Sequence, residues 1–422
     1  MRDQKKYVLA AMWPLCMALL CSVLTACIPI APQAAFGTMD LGSEAPPPPP
    51  TPATSTPATS PRPDFSDSTQ ASSSGSAGWG AVSGLTGAQA LTTAGAMLVK
   101  VYYATDRQFQ PGKKSYGWQP NRRAPHLSYG SVLVSIPEKR VPGELPLAPW
   151  YDFISSDDAQ QYVLIKQTLR WPRNDFFAAV KAGMQADPRR RAAFIYIHGY
   201  GNSFDDAARR TAQMAVDLDV GAMPVFYSWP SKGELAGYVF DQNSVEWTQI
   251  HLQDFLADFA DHSSATDIYI IAHSMGNRPA TMALANLLEK RPELLARFKQ
   301  VILAAPDINA EVFREQIAPR LASLGLPVTL YASKNDKAIR ASYQFAGWDR
   351  IGDIRGDIVG IPGLDFIDAS NVTMNFLGHD YVASNRALLT DIATMIKTGG
   401  RAKDRGGLRG KPSPAPRHWE FP

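Results

Sequence analysis

The sequence predicts an α/β domain, a mainly parallel sheet flanked by helices with an antiparallel N-terminal lead-in. Three observations carry this. From Ala193 onward, short β-branched and aromatic runs alternate with segments of helical spacing. The stretch Asp267 to Ala280, DIYIIAHSMGNRPA, reads as a strand, a tight turn and a helix in immediate succession. Residues 96–398 make roughly 300, enough for one large core of this kind.

The lead-in strands are expected at Val99–Tyr103, Ser131–Ile136 and Tyr162–Ile165. The parallel strands follow at Ala193–His198, Val225–Trp229, Ile268–Ala272, Val301–Ala304 and Val328–Tyr331. Helical spacing marks Phe204–Leu218, Trp247–Asp261, Met275–Glu289, Ala310–Leu324 and Tyr381–Ile396, the last with Val382, Leu388, Leu389, Ile392, Met395 and Ile396 along one side. A sheet wound this way opens its binding sites at the carboxyl ends of its strands.

The remaining residues predict no core. Residues 1–26 carry Arg2, Lys5 and Lys6 ahead of an apolar run from Tyr7 to Leu24, the pattern of a secretory signal peptide. Leu24-Thr25-Ala26-Cys27 resembles a bacterial lipobox, in which Cys27 becomes the lipid-bearing first residue; Ile28, in place of an Asp, favours the outer membrane by resemblance to sorting rules. The three cysteines are Cys16, Cys21 and Cys27, so with the signal removed and Cys27 acylated the folded part has none for a disulfide or a metal. Residues 27–95, rich in Pro, Ser and Thr with the run Pro46 to Pro50, read as a disordered tether. Residues 399–422, rich in Gly, Pro and basic side chains, read as a solvated, disordered tail. The formal charge of +3 falls to +1 without Arg2, Asp3, Lys5 and Lys6, so no basic field suited to nucleic acid is present.

Candidate chemistry lies at the strand ends. Ser274 stands between Ala272 and Gly276 in a G-x-S-x-G pattern with Ala at its first position, at the strained strand-to-helix turn that lifts a nucleophilic hydroxyl over a sheet edge. The following helix N-terminus offers N–H groups and partial positive charge where an oxyanion would form. The strand at Ala193 runs into His198-Gly199-Tyr200-Gly201-Asn202-Ser203, with Ser203 and Asp206 spaced as a capping box. Two carboxylates close later strands: Asp336 in Ser333-Lys334-Asn335-Asp336, and Asp307 in Ala305-Pro306-Asp307. Either could equally be a helix N-cap. Among the seven histidines, His379 follows Gly378 and directly precedes the last helix.

Together these blocks, with Ala104-Thr105-Asp106-Arg107, Val134 through Ile136-Pro137 to Gly143 and Ser228-Trp229-Pro230-Ser231-Lys232-Gly233, are similar to the α/β-hydrolase superfamily, and within it to an uncharacterised bacterial esterase/lipase-like branch. The resemblance spans about Val99 to Ile396. It implies a serine hydrolase acting on carboxylic esters by acyl transfer through Ser274, His379 and Asp336, with Asp307 as the alternative acid. It places the oxyanion donors at the amides of Tyr200 and Met275 and requires no metal or organic cofactor. Trp229 and Tyr238 either line the substrate pocket or pack a loop without ligand. The expected partners are a small-molecule ester or lipid substrate and the membrane, reached through the N-terminal lipid. The other reading is a non-catalytic envelope lipoprotein that keeps the hydrolase fold as a binding or scaffolding module.

Overall fold

A computed structural model describes residues 91–93, 95–112, 117–148, 157–186, 191–234, 237–355, 361–372, 381–411 and 418–422. The lead-in strands are β1 (Leu91–Thr93), β2 (Ala96–Phe109), β3 (Trp118–Pro137) and β4 (Leu164–Trp171), and helix α1 (Arg173–Gln185) follows them. Next come β5 (Ala192–Ile197), α2 (Phe204–Leu218), β6 (Met223–Ser228), α3 (Tyr238–His262), β7 (Asp267–His273) and α4 (Asn277–Lys290). The chain continues through β8 (Phe298–Ala304), β9 (Val328–Ala332), α5 (Lys337–Ala346), β10 (Asp365–Asp368), α6 (Arg386–Thr398), β11 (Arg409–Lys411) and β12 (His418–Glu420).

The strands form one sheet in the order β11-β12-β10-β9-β8-β7-β5-β6-β2-β3-β4, with β1 paired to β2. Pairing is parallel from β2 across to β12. It is antiparallel through β1, β2, β3 and β4 and between β11 and β12. The fold class read from the sequence is therefore the observed one. Side chains of β7 divide by period two: Ile268, Ile270 and Ala272 join the core under α1, α3 and α4, while Tyr269 and Ile271 join the opposite core under α2 and α6. Register then sets the site. Thr105 pairs with Ser228, Tyr227 with Ile197, Ile197 with Ala272, and His273 with Ala304, so β5, β6, β7 and β8 end on one line, level with Thr105 of β2.

Several elements depart from the sequence reading, each for a visible reason. β2 and β3 run far beyond the expected cores because the hairpin projects past the sheet, where residues 121–123 of β3 are exposed and polar. Helix α3 starts at Tyr238, nine residues before the expected start at Trp247, so Tyr238, Phe240 and Asp241 lie in its first turn and not in a loop. Its N-cap Gly237 makes no side-chain cap hydrogen bond, which left no start signal to read. The segment expected as one helix at Ala310–Leu324 contains a π turn at Phe313–Ile317. The last helix is interrupted at Asn385, whose side chain accepts from Ala387 N at 2.8 Å to cap α6.

The tether and tail boundaries both move. Leu91–Thr93, assigned to the tether, already pairs with β2. The tail is not disordered where it is described: β12 adds in parallel to β10, and β11 folds back on β12. Its basic residues meet carboxylates of the domain. Arg401 pairs with Asp365 at 2.9 Å, and Arg405, 2% exposed, lies 3.3 Å from Asp391, while Phe421 is buried. Local composition read these arginines as solvated because their partners are distant in sequence. Residues 1–26 and Cys27 lie outside the described residues.

Candidate active site

Strand β7 passes directly into a turn of 3-10 helix, Ser274–Gly276, and then into α4. At the joint Ser274 has φ +52°, the left-handed region that costs a side chain of this kind about 1–3 kcal/mol. The neighbouring backbone is correspondingly close. A Cβ on Gly199 would sit 2.8 Å from Ser274 Cβ and 2.9 Å from His273 Nδ1, and one on Gly276 would run into the His198 carbonyl oxygen. Ala272, at the first small-residue position, is fully buried in the core, so a methyl is accommodated there. The Ser274 carbonyl is clamped by Asn277 Nδ2 at 2.8 Å and by Asp307 N at 3.2 Å.

The loop after β5 faces this turn. Ser203 and Asp206 form a reciprocal capping box at the start of α2, as their spacing predicts. Asn202 Nδ2 donates to Tyr200 O at 2.9 Å, and Gly201 N donates to Asp241 Oδ2 at 3.1 Å. Asp241 also accepts from Ser231 Oγ at 2.5 Å and Lys232 N at 2.7 Å, tying this loop to the one after β6.

Beneath both loops lies Arg107, fully buried, a residue to which the sequence reading gave no role. Its Nε donates to Ser228 Oγ at 2.9 Å, Nη1 to Ser231 O at 2.9 Å and Pro120 O at 3.1 Å, and Nη2 to Asn202 O at 2.9 Å. Burial pulls this guanidinium down to about 10, against Asp106, Asp241, Asp206 and Asp205, which pull it up, so it stays charged at neutral pH. The available signal was the adjacent acid and base Asp106-Arg107 directly after the apolar run Val101–Ala104.

His198 sits between these groups. Its ring stacks on Trp229 at 4.9 Å, Nδ1 lies 2.8 Å from Gly199 O, and Nε2 lies 3.3 Å from Ser228 Oγ and 3.4 Å from Arg107 Nη2. A guanidinium can only donate, so Nε2 accepts and the proton is on Nδ1. Burial, then the Arg107 charge, depress the imidazole to about 3. The unfolded chain therefore takes up a proton below about 6.5 that the folded chain refuses, and stability is lost as pH falls from there toward 3. Asp205, raised to about 6 by burial, acts in the opposite sense, so His198 is read by difference. Relative to His198→Gln, the wild type should lose about 1.4 kcal/mol of unfolding free energy per pH unit below 6. Parallel urea midpoints across that range would refute this.

The two candidate acids have different surroundings. Asp336 is 1% exposed and caps α5, accepting from Ala338 N at 3.0 Å and Ile339 N at 2.9 Å, both on Oδ1. Asp307, 2% exposed, accepts from Ser342 Oγ at 2.6 Å and Tyr238 OH at 2.9 Å, and pairs with Arg278 and Arg350, each at 3.1 Å. Burial pushes its carboxyl up, but Arg278, Arg350 and the two hydroxyls outweigh that and hold it below the usual range. His379 lies outside the described residues.

A model of the family described as "Alpha/beta hydrolase of unknown function (DUF900)" matches residues 177–398, just over half of the chain. The chain belongs to this family. No curated protein matches it. Among solved structures it is similar to a predicted CIB-like hydrolase from Thermoplasma acidophilum at 13% identity, covering 50% of this chain and 88% of that one with a TM-score of 0.31. It is also similar to the carboxylesterase CesB from Bacillus subtilis, at 13% identity, 51% and 86% coverage and a TM-score of 0.30. A thermostable esterase from Pseudomonas putida gives 13% identity, 76% and 89% coverage and a TM-score of 0.28.

In this α/β-hydrolase the sheet gathers Ser274, Met275, Gly199, Asp307 and Tyr238 at one rim through the contacts given above. Met275, the proposed second oxyanion donor, is fully buried, and the Tyr200 ring meets Tyr238 edge-on at 5.4 Å. Trp229 packs against the His198 ring. It is fully buried, and its indole N–H donates to His198 O at 2.7 Å. Tyr238 is 7% exposed and donates to Asp307 Oδ2 at 2.9 Å. A cavity of about 770 Å³ lies elsewhere, between β3, the end of β4 and α3; His126, Arg170, Trp171, His251 and Asp254 are among its lining residues, and none of the sequence-derived site residues is.

Proposed function

We propose that this α/β-hydrolase is a serine hydrolase of carboxylic esters. Ser274 Oγ attacks the ester carbonyl while His379 takes its proton; the tetrahedral oxyanion rests on the amides of Tyr200 and Met275. Collapse expels the alcohol, which receives that proton from His379, and a water activated by the same imidazole then releases the acid from Ser274. Asp336 orients the imidazole and balances its charge. The observation that carries the reading is the left-handed Ser274 between β7 and α4, with Gly199 and Gly276 where no side chain fits. A costly backbone conformation persists where the surroundings enforce it, and such strain clusters at active sites. Asp336 is preferred to Asp307 because two guanidiniums already neutralise Asp307.

A fluorophosphonate probe should label the full-length protein, and both Ser274→Ala and His379→Ala should abolish labelling. An unlabelled wild type would leave a hydrolase-shaped binding protein. Thioesters and amides would be handled by the same residues; the preference for esters comes from the sequence resemblance.

The reading includes a tether: Cys27 carries lipid and holds the domain in the cell envelope, at the outer membrane. Among the described residues no helix is long and apolar enough to cross a membrane. Radiolabelled palmitate should enter the wild type and not Cys27→Ala, and the variant should leave the membrane fraction. Retention of Cys27→Ala in membranes, unlabelled, would remove the lipid anchor from the reading.

A further inference from the structure

The network around Asp307 holds more positive than negative charge, and it adjoins Ser274. Arg278 and Arg350 reach opposite oxygens of Asp307, and their side chains are 20% and 6% exposed against 2% for the carboxylate. Among the described residues the other groups they meet are neutral: Tyr238 OH accepts from Arg278 Nη2 at 3.1 Å, the Asp307 carbonyl from Arg278 Nε at 2.6 Å, and Ser342 Oγ from Arg350 Nε at 3.1 Å. Asp241, the carboxylate on the other side of Tyr200, already accepts from Gly201 N, Ser231 Oγ and Lys232 N. Among the described residues one cation is thus left over in a setting where unbalanced charge is expensive, and Arg278 is the more open of the two arginines.

The placement relative to the elbow is close. Arg278 is one helical turn beyond Ser274, Asp307 N donates to the Ser274 carbonyl at 3.2 Å, and the Tyr238 ring touches Tyr200. On its outer side Tyr238 stacks on Phe345 at 6.0 Å; Phe345 is 58% exposed and Val239, next to Tyr238, is 67% exposed, an apolar rim beside the cationic centre.

We propose, resting on the serine hydrolase reading, that the preferred substrates are esters bearing an ionised oxyanion, a carboxylate or a phosphate, which Arg278 binds with Arg350 behind it. Guanidinium groups match both oxyanions in geometry and charge. The bound anion supplies the negative charge that Asp307 alone does not.

The test uses the full-length protein and compares kcat/KM for p-nitrophenyl hydrogen succinate, a p-nitrophenyl acyl ester ending in phosphate, and the neutral p-nitrophenyl pentanoate. At low salt at least one anionic ester should be favoured about tenfold over the neutral one, mainly through KM, and salt should erode the preference. Arg278→Gln and Arg350→Gln should each lower the ratio of anionic to neutral ester; should one fail to fold, the other and the salt series still decide. If the neutral ester is used as well as both anionic ones, or the ratio is unchanged in every folded variant, the proposal is overturned. Fluorophosphonate labelling of the same wild-type sample separates the failures. Label without preference defeats only the anionic substrate, whereas no label defeats the hydrolase reading and this proposal together.

Discussion

Ser274→Ala should lower ester hydrolysis by about 10⁴-fold or more, because nucleophile, base and acid act as a unit and loss of the attacking oxygen removes the covalent route. The structure adds a second expectation of the same position. Ser274 holds φ +52°, a conformation open to glycine at no steric cost. Ser274→Gly should therefore be as inactive as Ser274→Ala yet more stable than it, by about 1 kcal/mol. Kinetics with p-nitrophenyl butyrate and urea unfolding of the three proteins test both halves. Residual turnover of Ser274→Ala near the wild-type rate would sink the nucleophile. Equal stability of the alanine and glycine variants would mean that the turn is unstrained.

Arg107→Ala should destabilise the fold by about 3–5 kcal/mol, more than any other arginine variant expected here. Removing the guanidinium strips donors from Ser231 O and Ser228 Oγ, at buried bonds, and from the half-buried Pro120 O and Asn202 O at once. It also leaves Asp241 without the nearby cation that opposes its burial. Arg107→Lys should recover only part of the loss, since one ammonium with three donors cannot span acceptors that a planar five-donor fork reaches. Arg314, exposed on the surface, is the control, and Arg314→Ala should stay within about 0.5 kcal/mol of wild type. Because Asn202 O belongs to the loop that carries Tyr200, a folded Arg107→Lys should also lose activity through kcat, the signature of a displaced oxyanion donor. A loss below 1 kcal/mol in Arg107→Ala would refute the view of this residue as the post beneath both loops.

The elements legible in sequence were those whose signal is local. Helix α2 was bounded correctly because Ser203 and Asp206 cap it and Leu218 closes its apolar face. Strands β5 to β9 were found within one to three residues because each is a short apolar run. Helix α3 was entered late because Gly237 offers no cap, and the tail was read as solvated because Arg401 and Arg405 find their carboxylates only in three dimensions. His379 falls outside the described residues, so its part in the site rests on chain order.

By itself the sequence determined the alternation of strands and helices, the small-residue turn around Ser274 and the glycine loop at His198, since each depends on residues a few positions apart. Tertiary structure alone decided which charges meet. It placed Arg107 under two loops, surrounded Asp307 with two arginines and sealed Trp229 against His198. The physical reason is range: helix and strand propensities act over a few residues of chain, whereas the desolvation of a charge is governed by whatever the folded sheet brings within a few ångströms of it.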